Sequence, residues 1–373
     1  MISGIPGKLS TVEFTLINNY GTSQEERNDI RSMVIGFALF ENIFCPFMYG
    51  SAKIRDSYSL YSTMPISTDT YILIRLHDPM TGKQVSGMYK IYKISDFQAE
   101  SQKLQTYIIQ FVSAELFSSQ RVRVNKHITG NVPTAVQEIH KLYSNKPIEI
   151  DKDAAKANLY LPMITAHKAI PFLLDTIKWK AATPDYCYWE TFYGFRCKSI
   201  SSCVLNGTVH DFSTNCQLAR SQEDTFQYAD FIKIDDLVAP QAFDSSYMIA
   251  AGYAGETVFT YNPLTFTTTF EPLGEEPLAR LSVHSDNARD YISASKRAQI
   301  LSRICETYYY INVPGLLTRS SGDMADVTIY NGNNMNVKDA TFSGKRLICG
   351  IAHIINADEY KQNITLGDYT LGG

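Results

Sequence analysis

Tryptophan is scarce in this chain, with 2 residues among 373, and only 19% of the residues are charged. Long hydrophobic runs are missing. The longest clean one, Met33 to Phe40, has eight residues. A helix that crosses a bilayer needs roughly 20, so no membrane span is expected. The N-terminus, Met1-Ile2-Ser3-Gly4-Ile5-Pro6, has no basic segment leading into an apolar stretch. No signal peptide is expected, and folding in a cytoplasm is. A basic excess is missing as well: 34 Lys and Arg stand against 38 Asp and Glu, for a formal net charge of −4. Proteins that grip duplexes usually show a basic stripe. Cys-x-x-Cys pairs are also absent, although Cys187, Cys197, Cys203 and Cys216 lie close together among 7 cysteines. That spacing argues against zinc. Reduced, buried thiols are expected, with no metal and no cofactor.

What is present points to folded, sheet-rich structure. Hydrophobic residues make up 45% of the chain, and it holds 24 Tyr and 19 Phe. Tyr suits half-buried sheets and interfaces, because its ring buries while its hydroxyl finds a partner. The length predicts two or three domains.

The first 120 residues read mainly as β. Thr11 to Ile17 alternates, with Val12, Phe14 and Leu16 on one side. Met33 to Phe40 and Tyr71 to Leu76 are further strands. Gly87 to Ile94, a polar turn from Ser95 to Lys103, and Leu104 to Val112 make a hairpin. From about residue 114 the period changes. Val132, Val136, Ile139 and Leu142 have helical spacing with Pro133 in the first turn. A second helix is expected to start near Ala169, with Pro171 in its first turn. Tyr186 to Ile200 is a hairpin around Tyr193-Gly194. Phe226 to Ile234 is a strand, Ser245 to Ala251 a short helix, Thr257 to Phe270 a β stretch and Ala288 to Ile304 a polar helix. Thr307 to Val313, Asp326 to Tyr330, Leu347 to Ile355 and Tyr360 to Leu366 are strands.

The two best hairpins share a pattern. Ser86-Gly87 leads to Ile91, Ile94, Tyr107 and Ile109; Ser343-Gly344 leads to Ile348, Ile351, Tyr360 and Ile364. The repeat predicts two related β-barrels separated by a helical domain and an insertion. The fold class expected is therefore α+β and β-dominated. Its parts are a first barrel over 1–120, a mixed α/β domain over 121–215, a second barrel from 216–240 and 303–373, and an insertion over 241–302.

Catalytic patterns fail one after another. Thr81-Gly82-Lys83 lacks the upstream glycine of a phosphate loop. No Gly-x-Ser-x-Gly elbow and no His-Glu-x-x-His helix occurs. His284-Ser285-Asp286 reads as a solvated helix entry, with Ser285 or Asp286 as the cap. His210-Asp211 reads as a loop pair, and His353 as a satisfied sheet residue. Catalytic, cofactor-binding and metal-binding residues are expected to number none. Arg121-Val122-Arg123-Val124-Asn125-Lys126 reads as a strand with three basic groups on one side.

Three stretches resemble the central hub proteins of contractile-tailed phage baseplates, related to the hub portion of type VI secretion spike proteins. One is Glu41-Asn42-Ile43-Phe44-Cys45-Pro46 through Ala52-Lys53-Ile54-Arg55-Asp56 to Pro65-Ile66. The second is Gly252-Tyr253-Ala254 through Thr260-Tyr261-Asn262-Pro263-Leu264-Thr265, with Asn262 where the family pattern has Asp. The third is Ser343-Gly344 through His353-Ile354 to Tyr360. The resemblance implies a non-enzymatic homotrimer with a central channel, located in the virion. It implies contact with a central spike, with tail-tube or tube-initiator proteins, and with tape-measure and wedge proteins. DNA would only pass in transit, and no membrane is involved. Three copies of a two-barrel subunit would present six similar barrels to a sixfold tube. The basic stripe would then face outward or a neighbouring subunit, because a lumen that lets DNA slide should grip phosphate weakly. The alternatives are a tube initiator or adaptor, and a tail-associated wall hydrolase.

Overall fold

The computed structural model describes residues 7, 9–58, 60, 66–67, 69–79, 81–101, 104–151, 156–174, 185–214, 231–241, 256–262, 267–273, 279–284, 304, 308–331, 334–357 and 359–368. The chain opens with seven strands: β1 Ser10–Asn18, β2 Glu26–Asp29, β3 Val34–Asn42, β4 Tyr49–Asp56, β5 Tyr71–His77, β6 Gln84–Ser101 and β7 Leu104–Ser113. Their side chains alternate faces, as pleated strands must. Phe37, Leu39, Ala52, Ile54, Ile109 and Phe111 point into one core with Phe14, Leu16, Ile72 and Ile74. Two expectations need correction. Val12 does not join Phe14 and Leu16 inside, because the register slips between Thr11 and Glu13 and leaves Val12 exposed. The stretch from Ser95 is not a turn. β6 runs on to Ser101 and pairs with β7 as far as Leu104. Its Asp96 to Ala99 residues are exposed, so a strand without a core to cover reads as a polar loop.

The middle of the chain alternates helix and strand: α1 Ala114–Arg121, β8 Arg123–Asn131, α2 Val132–Lys141, β9 Ile148–Ile150, β10 Lys156–Thr165, α3 Ala166–Leu174, β11 Tyr186–Thr191, β12 Gly194–Ser199 and α4 Ile200–Asn206. α2 buries Val132, Val136 and Ile139, and Pro133 sits in its first turn as expected; Leu142 falls just past its end and is exposed. α3 starts at Ala166, three residues before the expected Ala169, so Pro171 lies inside it. The helices and the β11–β12 hairpin enclose a second core of Val124, Ile139, Leu161, Leu173, Tyr186 and Phe195, among others. The expected one-sided basic stripe is broken. Arg121 ends α1 while Arg123 begins β8, and Lys126 has the opposite parity and pairs with Glu138.

The rest of the described chain is strand: β13 Val209–Ser213, β14 Phe231–Lys233, β15 Asp236–Gln241, β16 Glu256–Asn262, β17 Thr267–Leu273, β18 Ala279–His284, β19 Tyr308–Pro314, β20 Met324–Thr328, β21 Tyr330–Asn331, β22 Asn334–Lys338, β23 Gly344–Asn356 and β24 Tyr360–Gly367. β16, β17 and β18 form a separate three-stranded sheet. The expected helices at 245–251 and 288–303, and the 226–230 part of the expected strand, lie outside the described residues.

The five strands β3, β4, β5, β6, β7 and the five strands β15, β19, β20, β23, β24 share one topology. In both sets the spatial order is first, second, fifth, fourth, third. The register agrees residue by residue. Phe37, Ala52, Ile109 and Ile94 stand in one row of the first set. Leu237, Ile311, Ile364 and Ile351 stand in the matching row of the second. Ile74 faces Gly87, as Val327 faces Gly344. Both hairpins even carry their bulge at one place, between Ile91 and Lys93 and between Ile348 and Gly350. The repeated Ile residues are therefore structural equivalents, whereas Tyr107 and Tyr360 sit at different rows. The second set closes its own core of Ile311, Val327, Ile348, Ile351, Ile364 and neighbours.

The two sets are joined into one sheet. The edge of β3 pairs antiparallel with β23, Ala38 facing Ile354 and Phe40 facing Ala352. β23 thus serves β20 with its first half and β3 with its second.

Candidate functional site: a buried polar joint

The loop between β19 and β20 is where the cores meet. Leu317 is fully buried in the first core. On one side the loop is held by Gln362 of β24, whose amide donates to the Leu316 carbonyl at 2.8 Å. Arg319, buried to 2% exposure, donates to Gln362 Oε1 at 2.6 Å and to the Pro314 carbonyl at 2.8 Å. Its guanidinium lies 5.4 Å from the centre of the Phe212 ring. Burial pulls this group down to about 10, a price of desolvation that its two acceptors and the ring face partly offset.

On its other side the loop reaches the remaining units. Ser321 N–H donates to Glu41 Oε1 of β3 at 2.8 Å. The Ser321 carbonyl accepts from Trp189 Nε1 of β11 at 3.2 Å and from Arg196 of β12 at 2.8 Å. Arg196 also donates to Asp323 Oδ1 at 3.0 Å, and His210 Nε2 lies 3.2 Å from Asp323 Oδ2. Gly322 has φ +85, and a Cβ there would stand 2.5 Å from Trp189 Cζ2. Glycine is needed twice over, for the left-handed backbone and for the close approach of the indole.

A second joint ties the middle unit to the first sheet. Lys146 donates to Glu115 Oε2 at 2.9 Å and to Glu190 Oε1 at 2.5 Å. Ser113 Oγ lies 2.6 Å from Glu115 Oε2 and 3.0 Å from Glu190 Oε1, and Met48 N–H donates to Glu190 Oε2 at 3.0 Å. Burial raises Glu190 above the ordinary carboxylate range, against the pull of Lys146 and with the help of the Glu115 charge. Lys146 itself is raised, because its two carboxylates outweigh its burial.

The residues singled out from sequence are distributed as follows. Thr81-Gly82-Lys83 belongs to the β5–β6 turn, where Gly82 has φ +67 and its N–H donates to the Asp78 carbonyl at 2.8 Å. His210 and Asp211 are strand residues of β13 and not a loop pair, and His210 contributes to the joint. His353 lies in β23 with Nδ1 2.8 Å from the Tyr360 hydroxyl, but its Nε2 has no hydrogen-bond partner in the structure and faces Glu41 at 3.8 Å. It is half satisfied. His284 ends β18, while Ser285 and Asp286 lie outside the described residues. Cys187, Cys197, Cys203 and Cys349 are buried and Cys45 is half-buried; Cys216 lies outside the described residues. Among the described residues no three His, Cys, Asp or Glu side chains are arranged to hold a metal ion. Lys146, Glu190, Arg319 and Gly322 were not singled out from sequence, and Glu41 entered only as the first residue of a resembling stretch. Glu41 and Glu190 carry one signal, a charge inside an apolar strand pattern, whereas Lys146, Arg319 and Gly322 lie in polar stretches that carry none.

These groups are spent on holding elements together. Each buried donor or acceptor left without its partner would cost about 1–3 kcal/mol, so the network fixes how the cores sit against each other.

No family model and no curated protein matches the sequence. Solved structures do match its fold. The chain is similar to a tail protein from Neisseria meningitidis MC58, at 10% identity and TM-score 0.55, over 95% of this chain and 97% of that one. It is similar to the 43 kDa tail protein of prophage MuSo2 from Shewanella oneidensis, at 8% identity and TM-score 0.53, over 95% and 96%. It is also similar to a chain of the Francisella PdpA–VgrG complex in its lidded form, at 8% identity and TM-score 0.51, over 99% of this chain and 54% of that one. The β-dominated fold is that of these phage tail proteins and of the matched chain of the VgrG complex.

Proposed function

We propose that this chain is a structural subunit at the centre of a phage tail baseplate, and that it forms a homotrimeric ring. The ring joins a sixfold tail tube to a threefold spike and lines the passage for DNA. The observation that carries this reading is the end-to-end match in fold to tail proteins, over 95% of this chain and 97% of the Neisseria one. The duplicated five-strand set supports the symmetry step, since three copies of two like units make six. The proposed division is a first barrel (1–120), a middle domain (121–215), a second barrel (216–240 with 303–373) and an insertion (241–302). The buried joints suit a part that must transmit force without deforming. The partners proposed are the spike, tube or tube-initiator proteins, the tape measure and wedge proteins. No catalytic role, cofactor or membrane contact belongs to this reading.

Virions bearing an epitope-tagged copy of the chain test it. Gold-labelled antibody is expected at the tail tip distal to the head, in line with the tube axis. Label on the head or along the tail shaft would overturn the assignment.

A further inference from the structure

The β19–β20 loop is gripped at both ends, and the proton positions of the first grip follow from its heavy-atom partners. Gln362 Oε1 accepts from Arg319 at 2.6 Å, and Gln362 Nε2 donates to the Leu316 carbonyl at 2.8 Å. A guanidinium only donates and a carbonyl only accepts, so the Gln362 amide has one orientation. Its remaining amide proton has the Tyr360 hydroxyl at 3.0 Å and His353 Nδ1 at 3.3 Å. The hydroxyl accepts it and turns its own proton to His353 Nδ1, 2.8 Å away. A direct bond from Gln362 to Nδ1 gives the same outcome, because Nδ1 accepts in both cases. The neutral imidazole then carries its proton on Nε2.

That Nε2–H points at the second grip. There Ser321 N–H donates to Glu41 Oε1 at 2.8 Å. Nε2 lies 3.8 Å from the same oxygen, beyond the reach of a hydrogen bond. His353 Nε2, Glu41 Oε2 and Ser321 Oγ all lack a hydrogen-bond partner among the described residues, and all three residues are buried. Glu41 and His353 are diagonal neighbours on one face of the β3–β23 contact, since Glu41 faces Ile351 and His353 faces Leu39. The imidazole is held in place by the Tyr360 bond and by the Phe192 ring, whose centroid is 4.5 Å from its own.

We propose that an internal water molecule binds between His353 Nε2, Glu41 Oε2 and Ser321 Oγ and closes a hydrogen-bonded circuit around the β19–β20 loop. The chemistry of the three groups selects water. One is an N–H donor, one is a carboxylate acceptor, and the hydroxyl serves as either. A cation would oppose the imidazole N–H, and an anion would oppose Glu41. Water accepts from His353, donates to Glu41 and takes Ser321 as its third partner, which is the usual complement of about three bonds for a buried water. Polar groups more than 3.5 Å apart commonly share a water in this way. The circuit runs from Ser321 through Glu41, the water, His353, Tyr360 and Gln362 to Leu316 and Arg319, and so returns to the loop it left. It crosses from one five-strand set to the other, and the water is its link across the seam.

A high-resolution crystal structure of the full-length protein tests the site without any variant. One ordered water is expected within about 3.2 Å of each of the three atoms, in every copy of the chain in the crystal. A direct bond between His353 Nε2 and Glu41, a side chain standing in that space, or a water that misses any of the three atoms overturns the proposal. Protein labelled with 15N in histidine gives a reading in solution, with the His353 signals identified as those lost in His353→Gln. A protonated Nε2, a bare Nδ1 and cross-relaxation between the Nε2 proton and water are expected. A proton on Nδ1 removes the donor that the water accepts from, and it overturns the circuit.

Discussion

Trp189→Ala is expected to lower the unfolding free energy by about 3–5 kcal/mol, the range for removing a large buried aromatic side chain. Trp189 has no exposed surface. It belongs to one buried cluster with Ile43, Ile200, Cys203, Ile304, Met324, Leu347 and Cys349, which come from the first, middle and last parts of the chain. Its N–H is spent on the Ser321 carbonyl. The truncation therefore leaves a cavity at the meeting of the cores and leaves the Ser321 carbonyl of the β19–β20 loop with Arg196 as its remaining donor. Urea titration of the purified variant measures the loss. Hydrogen exchange adds location: faster exchange is expected in that loop as well as in β11. A loss below about 0.5 kcal/mol, within the range of an ordinary surface change, would show that the loop does not hold the cores together.

The second large effect is expected at Lys146. Lys146→Met removes the cation that bridges Glu115 and Glu190, of which Glu190 is 2% exposed. Removing one partner of a buried pair costs about 3–5 kcal/mol, and the 25% exposure of the Lys146 side chain places this case at the low end. The deficit should depend on pH. With the cation gone, nothing from Lys146 opposes the burial and the Glu115 charge that already hold Glu190 above the ordinary range in the folded state. A raised folded value means stability that is complete below the ordinary Glu range of about 4.3 and is lost as pH rises through the raised value. The gap between wild type and variant is therefore expected to be smallest in acid and to widen towards neutral pH. Thermal unfolding of both proteins across that range measures it. A gap that stays constant would mean that the carboxylates are not held against each other.

Much of the fold was legible because its local signals agree with its tertiary ones. α2 carries a one-sided apolar stripe, a first-turn proline and a switch of period at once. The hairpins β6–β7 and β23–β24 show alternation because one face of each is buried. The twin Ile residues were visible for the same reason, and the structure sets them in matching rows. What stayed hidden has physical causes. The outer end of β6 covers no core, so its Asp96 to Ala99 residues look like a loop. The bulge in β1 shifts Val12 outward, and bulges leave little trace in a side-chain pattern. The two joints could not be read at all. Glu41 and Ser321 are 280 residues apart, and Met48 and Glu190 are 142. A buried charge carries no mark of its distant partner, and such positions look like exposed polar residues until the fold brings the pair together.

In the proposed ring, the matched sets β3 to β7 and β15, β19, β20, β23, β24 would let a chain with few conspicuous motifs specify an assembly. Nothing in such a ring requires particular chemistry. It requires two like sheets, a fixed angle between them and compatible edges. The β3–β23 contact supplies the angle, and the buried loop with Gly322 against Trp189 keeps it.

The most direct test is the mass and symmetry of the isolated protein. A native mass spectrum taken at micromolar concentration should show three times the 42.0 kDa chain, and class averages should show a closed ring with an open centre and near-sixfold outline. A particle of one chain mass, or an oligomer without a central opening, would contradict the account.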